Sequence, residues 1–226
     1  GPASDSITKI KSLIESGVNV FRFNMKHADV AWHRENILKV RSVAKSMKEK
    51  IGILVDLQGP EIRISTYDHE DVKVKKGESI FFTDKAPGKG IVFVPNGFPV
   101  ETLVPGDPLL IDDGLNEFVI TRKTHDGVYA KAIDDCMIQD HKGLNLPGKH
   151  INLPSLTKDD LVRLDMSADL DVDFVALSFC RSKKDLDRLK GEMQKRKLEA
   201  KIVAKVESRE ALNNIDEIIS NSDVVM

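Results

Sequence analysis

The chain has 226 residues, 41% hydrophobic and 31% charged, with a formal net charge of −2. That length suits one large domain or two modest ones, and the near-neutral charge excludes a generic nucleic-acid binder, which carries a basic excess. Aromatic residues make up only 5%, too few for a surface that holds single strands by base stacking.

At the N-terminus, Ser4 or Asp5 is placed to cap a helix whose apolar positions Ile7, Ile10, Leu13 and Ile14 share one face, and Gly17 ends it. Residues 18–24 read as a strand. Asp29 then caps a long helix through Trp32, Ile37, Leu38, Val40, Val43 and Met47, and a second strand follows over 51–57. Helix and strand alternate, so the strands are expected to run parallel. From Ile64 to His150 the character changes. Short strand-like runs at 72–74, 79–82, 91–94, 109–111, 117–121 and 128–132 are punctuated by Gly77, Pro87-Gly88, Pro95-Asn96-Gly97, Pro105-Gly106-Asp107 and Asp126-Gly127. No helical pattern falls among them, which predicts a small all-β barrel or sandwich. Alternation then resumes. Thr157 and Asp160 form a capping-box start for a helix with Leu161 and Leu164 on one face. A strand over 172–177, a helix capped by Ser182 and a strand over 202–206 follow. One helix capped by Ser208 carries Leu212, Ile215, Ile218 and Ile219, and 223–226 opens another strand.

The expected fold class is therefore α/β, with a barrel-like frame interrupted by a β insertion. The expected domains are 1–63 (first part of the frame), 64–151 (the insertion) and 152–226 (second, incomplete part). Arg63-Ile64 and 148–154 are the expected hinges. The tripeptides Asn145-Leu-Pro147 and Asn152-Leu-Pro154 read as proline-stiffened linkers. A complete barrel of eight parallel strands needs about 250 residues, more than this frame provides. The sequence thus reads as a piece of a longer polypeptide or as a shortened relative. It has no run of eighteen apolar residues and no signal-like start, so no membrane span or secretory signal is expected. Its two cysteines, Cys136 and Cys180, fit a reduced, cytoplasmic protein and read as small, partly buried side chains.

Each strand of the frame runs out into polar residues. The first delivers Arg22, Asn24, Lys26 and His27. The second delivers Asp56, Gln58, Glu61 and Arg63. Later strands deliver Ser178 with Arg181, and Lys205 with Glu207. In a parallel barrel the site lies at this end, so groups distant in sequence converge. Arginine and lysine suit phosphate and carboxylate substrates. A carboxylate such as Glu207 beside a lysine suits a divalent metal held jointly with substrate oxygens. Gly88-Lys89-Gly90 lacks the context of a dinucleotide loop and reads as a turn. No histidine pair or CxxC has zinc-ligand spacing. His33, His69, His125 and His150 read as surface residues; His27, beside Lys26, is the exception.

The chain closely resembles pyruvate kinase over essentially all 226 residues. The likeness runs through Gly-Pro-Ala-Ser at 1–4, Arg22-Phe-Asn24-Met-Lys26-His27, Gly59-Pro-Glu-Ile-Arg63, Ile111-Asp-Asp-Gly114, Lys142-Gly-Leu-Asn-Leu-Pro-Gly148, Ser178-Phe-Cys-Arg181 and Lys205-Val-Glu207. The 59–63 and 142–148 stretches are the most specific. The resemblance implies part of a (β/α)8 TIM barrel interrupted after its third strand by an all-β barrel lid domain. It implies phosphoryl transfer from phosphoenolpyruvate to ADP, giving pyruvate and ATP, the last step of glycolysis. Arg22 would grip the phosphoryl group, and Lys205 would stabilise its charge in flight and the enolate left behind. Glu207 would bind Mg²⁺ or Mn²⁺. Asn24, His27, Arg63 and Lys142 would contact nucleotide phosphates or shape their site. Asn24, Asp56 and Ser178 stand among the monovalent-cation ligands, usually for K⁺.

Two positions depart from that pattern: Lys26 stands where most members have serine, and Leu57 where they have threonine. The expectation is that the Lys26 ammonium, paired with Asp56, replaces K⁺ and makes the activity K⁺-independent. Gln58 replaces a usual lysine and removes a positive charge. The family's next segment, Ala-Arg-Gly-Asp-Leu-Gly with the second metal carboxylate, would follow Met226. The first barrel strand and the C-terminal regulatory domain are unmatched too, so this chain alone is expected to be inactive. The full-length parent is expected to be a cytoplasmic homotetramer that engages neither nucleic acid nor membrane. The alternatives are a truncated, non-catalytic relative with a binding or scaffolding role, and another phosphoenolpyruvate-using barrel enzyme. The 142–148 stretch counts against the last.

Overall fold

The first helix, α1 (Ile7–Glu15), starts at Ser6, whose hydroxyl accepts the Lys9 N–H at 3.3 Å. The cap is thus one position beyond Asp5 and two beyond Ser4, because Pro2–Ser4 forms a 3-10 turn of its own. The computed structural model describes residues 1–85, 88–95, 98–149 and 153–226. Pro87, Asn96, Gly97, His150, Asn152 and the 151/152 boundary named above lie outside the described residues.

Strand β1 (Val20–Asn24) leads to α2 (Val30–Met47), capped by Asp29 through the Trp32 N–H at 2.8 Å, and then to β2 (Gly52–Asp56). Among the described residues nine short strands follow: β3 (Ile62–Arg63), β4 (Val72–Val74), β5 (Ser79–Thr83), β6 (Ile91–Phe93), β7 (Pro108–Ile111), β8 (Asn116–Lys123), β9 (Val128–Ala132), β10 (Cys136–Ile138) and β11 (Gly143–Asn145). Alternation resumes with α3 (Lys158–Asp169), β12 (Phe174–Leu177), α4 (Lys183–Lys195), β13 (Lys201–Ala204), α5 (Arg209–Asn213), α6 (Ile215–Asn221) and β14 (Val224–Val225). The expected capping box is present: Thr157 Oγ1 accepts the Asp160 N–H, and Asp160 accepts the Thr157 N–H. The single helix expected after Ser208 is instead two. Asn214 leaves helical geometry at φ −108°, ψ 19°, while its side-chain amide donates to the Arg181 carbonyl at 3.0 Å. A side chain that bonds to nearby backbone competes with the helix.

The described chain forms two compact units, Gly1–Pro60 with Pro154–Met226, and Glu61–Leu153. The first is mixed α/β. Its five strands, in order β1-β2-β12-β13-β14, are all parallel. Side chains alternate across a strand. One face of this sheet places Ile53, Val55, Val175, Leu177, Ile202 and Ala204 against Ile37 and Val40 of α2, Leu164 of α3 and Leu186 and Leu189 of α4. The other face holds a smaller apolar group of Leu54, Ala176 and Val203.

The second unit contains no α-helix among the described residues, only 3-10 turns at Tyr67–His69 and Val100–Thr102. Its seven-stranded sheet has the order β3-β11-β7-β8-β9-β5-β6, antiparallel except for β5–β6, and β4 pairs with β10. Phe82 and Phe118 meet edge to face in its core, 5.6 Å apart. Among the described residues no helix is long and apolar enough to cross a membrane.

Candidate active site

The polar residues at the strand ends of the first unit share the sheet face opposite the main helical core. The register pairs Asn24 with Asp56, and Asp56 with Ala176. Counting by twos along the strands puts Arg22, Asn24, Asp56, Ser178 and Lys205 on that same side. Hydrogen bonds and ion pairs join Arg22, Asp56, Ser178 and Lys205. Arg22 Nε donates to Asp56 Oδ2 at 2.7 Å, and its terminal nitrogen also contacts that oxygen. Lys205 Nζ lies 3.3 Å from Asp56 Oδ1 and 2.8 Å from Ser178 Oγ. Ser178 Oγ contacts Asp56 Oδ1 at 3.2 Å and the Leu57 carbonyl at 2.6 Å. Asp56 is 1% exposed. A carboxylate so deeply buried is stable only when paired, and here two cations and a hydroxyl group surround it. The Arg22 side chain is 50% exposed, so its other guanidinium edge faces water.

Glu207 closes the row. Its Oε1 lies 3.1 Å from Lys205 Nζ, and its Oε2 accepts the Phe179 N–H at 2.9 Å. Phe179 has a left-handed backbone, φ 55°, which turns the chain sharply after β12. Gly59 supports the same corner from β2. With φ +70°, it brings its Cα so close to the next strand that an added Cβ would sit 2.9 Å from the Ser178 carbonyl oxygen.

Asn24 ends β1, and Lys26 and His27 lie on the turn that follows. The Lys26 N–H donates to Asn24 Oδ1 at 3.0 Å, and the side chains of Lys26 and His27 are exposed. The Met25 N–H and carbonyl are held by the Asp56 carbonyl (2.9 Å) and by Arg163 Nε (3.1 Å). Arg181 is held away from this row by Asp185 at the start of α4, which it bonds at 3.2 Å.

In the second unit, Lys142 Nζ pairs with Asp112 Oδ1 at 3.0 Å. Arg63 pairs with Glu61 at 2.8 Å and donates to the His141 carbonyl at 2.7 Å.

Two residues differ from what the sequence suggests. His33 is not a surface residue. It is 2% exposed, its Nε2 lies 2.6 Å from the His27 carbonyl, and Trp32 and Phe23 meet its ring edge-on. Burial pushes its pKa below the usual histidine range, against the opposing pull of the His27 carbonyl. Its position was legible, because 33, 37, 40 and 44 repeat at helical spacing on the buried stripe of α2. Asp160, recognised only as a cap, has a second role. Fully buried, its Oδ1 accepts the Gln58 N–H at 3.0 Å, so it anchors the loop after β2 to α3. No sequence signal distinguishes that role from capping.

The model of the family "Pyruvate kinase, barrel domain" matches residues 1–226. Among curated relatives, pyruvate kinase from Clostridium perfringens is 34% identical over 230 residues, covering 100% of this chain and 48% of that protein. Pyruvate kinase from Agrobacterium vitis is 34% identical over 229 residues, with the same coverage of each. That from Thermotoga maritima is 32% identical over 228 residues, covering 100% of this chain and 49% of the relative. The chain spans about half the length of these curated relatives.

Proposed function

The chain belongs to the pyruvate kinase family, and from that premise we propose that its parent protein transfers a phosphoryl group from phosphoenolpyruvate to ADP, giving pyruvate and ATP. The observation that carries this reading is the convergence of Arg22 and Lys205 on one sheet face, both held by Asp56, with Glu207 beside them. Phosphoryl transfer depends mainly on positioning and charge stabilisation. Lys205 is oriented by three oxygens, so it meets developing charge with little reorganisation. Arg22 keeps one edge free to grip a phosphoryl oxygen while Asp56 fixes the other. We carry over from the resemblance that Asn24, His27, Arg63 and Lys142 contact nucleotide phosphates or shape their site. The finer architecture of the proposal is a TIM barrel, residues 1–63 and 152–226, interrupted by an all-β lid, residues 64–151.

Glu207 fits a divalent cation. Magnesium is commonly held by one or two carboxylates together with water and substrate phosphates, and each Glu207 oxygen keeps a lone pair beyond its partner. Mg²⁺ or Mn²⁺ bound there would neutralise phosphoryl oxygens. The K⁺ ligand places are less hospitable. Asp56 already faces Arg22 and Lys205, Leu57 offers no side-chain oxygen, and Lys26 adds an ammonium on the turn after Asn24. We therefore extend the proposal to K⁺-independent activity.

The test is pyruvate formation by the full-length protein in a coupled assay, with Mg²⁺ and with or without K⁺. Comparable rates in both conditions, and a loss of at least a hundredfold in Lys205→Met, support the reading. Strong K⁺ activation refutes K⁺ independence. Absence of turnover in every condition refutes catalysis and favours a binding or scaffolding role.

A further inference from the structure

The second unit carries a side-chain cluster that phosphoryl transfer does not use. The 3-10 turn at Tyr67–His69 and the turn before β11 bring together His69, Asp140 and His141, although His69 and Asp140 are 71 positions apart in sequence. His69 Nδ1 lies 2.7 Å and His141 Nε2 3.2 Å from one oxygen, Asp140 Oδ2. The three ligand atoms all lie within 4.8 Å of one another. The imidazole rings stack at 27° with centroids 5.6 Å apart. The other carboxylate oxygen, Asp140 Oδ1, accepts the Thr66 N–H at 2.8 Å, so the backbone fixes the direction of the shared oxygen. Such an outer partner is what orients a ligating carboxylate. Both histidine side chains are about 70% exposed, which leaves an entry path from solvent.

We propose that His69, Asp140 and His141 bind a borderline divalent transition-metal ion, with Zn²⁺ the best match and water completing the coordination. Two imidazole nitrogens and one carboxylate oxygen are a zinc-type donor set; Mg²⁺ and Ca²⁺ take oxygen ligands. Zinc bonds of about 2.0–2.2 Å in tetrahedral geometry place ligand atoms about 3.3 Å apart. The His141–Asp140 contact of 3.2 Å is already at that spacing, and the His69–Asp140 contact of 2.7 Å would open slightly to admit the ion. A His–Asp hydrogen bond needs only one imidazole, as at His125–Asp126 (2.9 Å). A second imidazole on the same oxygen is the added feature of a ligand set. Each ring presents the required lone pair in the tautomer that protonates its other nitrogen.

Position gives the ion a consequence. The His141 carbonyl accepts from Arg63, and the Lys142 carbonyl accepts the Ile64 N–H at 3.0 Å. Zinc at the cluster would therefore tie the 66–69 turn to the β3–β11 pair that carries Arg63 and Lys142. Local spacing rules miss this site because its ligands come from two distant turns.

The experiment is calorimetric titration of chelator-treated protein with Zn²⁺ in excess Mg²⁺, alongside imidazole ¹H–¹⁵N spectra. The expected result is one equivalent bound per chain, with the His69 and His141 nitrogens shifting together. Affinity should fall at least tenfold in His69→Gln and in His141→Gln but not in His125→Gln. Their exposure makes these substitutions tolerable to the fold. No zinc binding by the unmodified protein, or undiminished binding by the double His69→Gln/His141→Gln variant, overturns the proposal.

Discussion

Replacing Asp56 by asparagine should destabilise the first unit far more than an ordinary strand-end substitution. The change keeps the shape and removes the charge that holds Arg22 and Lys205. Hydrogen bonds to charged groups contribute about 1.5–3 kcal/mol each. Arg22 is half exposed and can turn to water, so its share is at the low end or below. Lys205 is only 12% exposed and cannot, although Glu207 still faces it. Together these give about 3 kcal/mol, below the full cost of stranding a buried charge. The single tryptophan, Trp32, lies in α2 of the first unit, while both tyrosines, Tyr67 and Tyr129, lie in the second. Tryptophan fluorescence therefore reads the first unit selectively. With an m-value of about 2 kcal/mol/M in urea, the Trp32 midpoint should fall by about 1.5 M. The double variant Asp56→Asn/Lys205→Met should be less destabilised than the sum of its parts by about 1–2 kcal/mol, because it leaves no unpaired ammonium. A midpoint within about 0.3 M of the unmodified protein, or strict additivity, would refute the account of Asp56 as the common anchor.

Three further outcomes are expected. Gly59→Ala should cost about 2 kcal/mol by the same fluorescence assay, since the left-handed backbone disfavours a side chain and the new Cβ meets the Ser178 carbonyl; an unchanged midpoint would contradict this. His33 has a lowered pKa in the folded state, so the unfolded chain takes up the proton first as pH falls. Stability should therefore drop as pH falls below about 6.5 and recover above it, a dependence that His33→Gln should reduce in urea titrations at pH 5.5 and 7.5. Cys180 is fully buried, and burial pushes its thiol up to about 12. It should resist a thiol reagent at pH 8 in the native protein and react after urea unfolding; rapid native labelling at Cys180, located by mass spectrometry, would show that the site opens.

The α/β alternation was legible because each frame strand is an apolar run ended by polar groups and Asp29, Thr157 and Ser208 announce their helices. The strands β3, β10 and β11 were not, since their pairing comes from partners distant in sequence. The polar residues that meet on the sheet face of the candidate site could be named from strand ends. Their partnership could not, because it depends on the register that sets Asp56 beside Asn24 and Ala176. His33 was misread through its chemistry, although its spacing placed it on the buried stripe. Asp160 and the His69–Asp140–His141 cluster depend on tertiary contacts that no local pattern encodes.

We propose that the Arg22–Asp56–Lys205–Glu207 face serves direct phosphoryl transfer. Phosphorus NMR of the full-length protein with phosphoenolpyruvate, ADP and Mg²⁺ tests it most directly. ATP γ-phosphate should appear as phosphoenolpyruvate disappears, with no accumulation of inorganic phosphate, and Lys205→Met should abolish the exchange. Unchanged phosphoenolpyruvate, its hydrolysis to inorganic phosphate, or full transfer by Lys205→Met would contradict it.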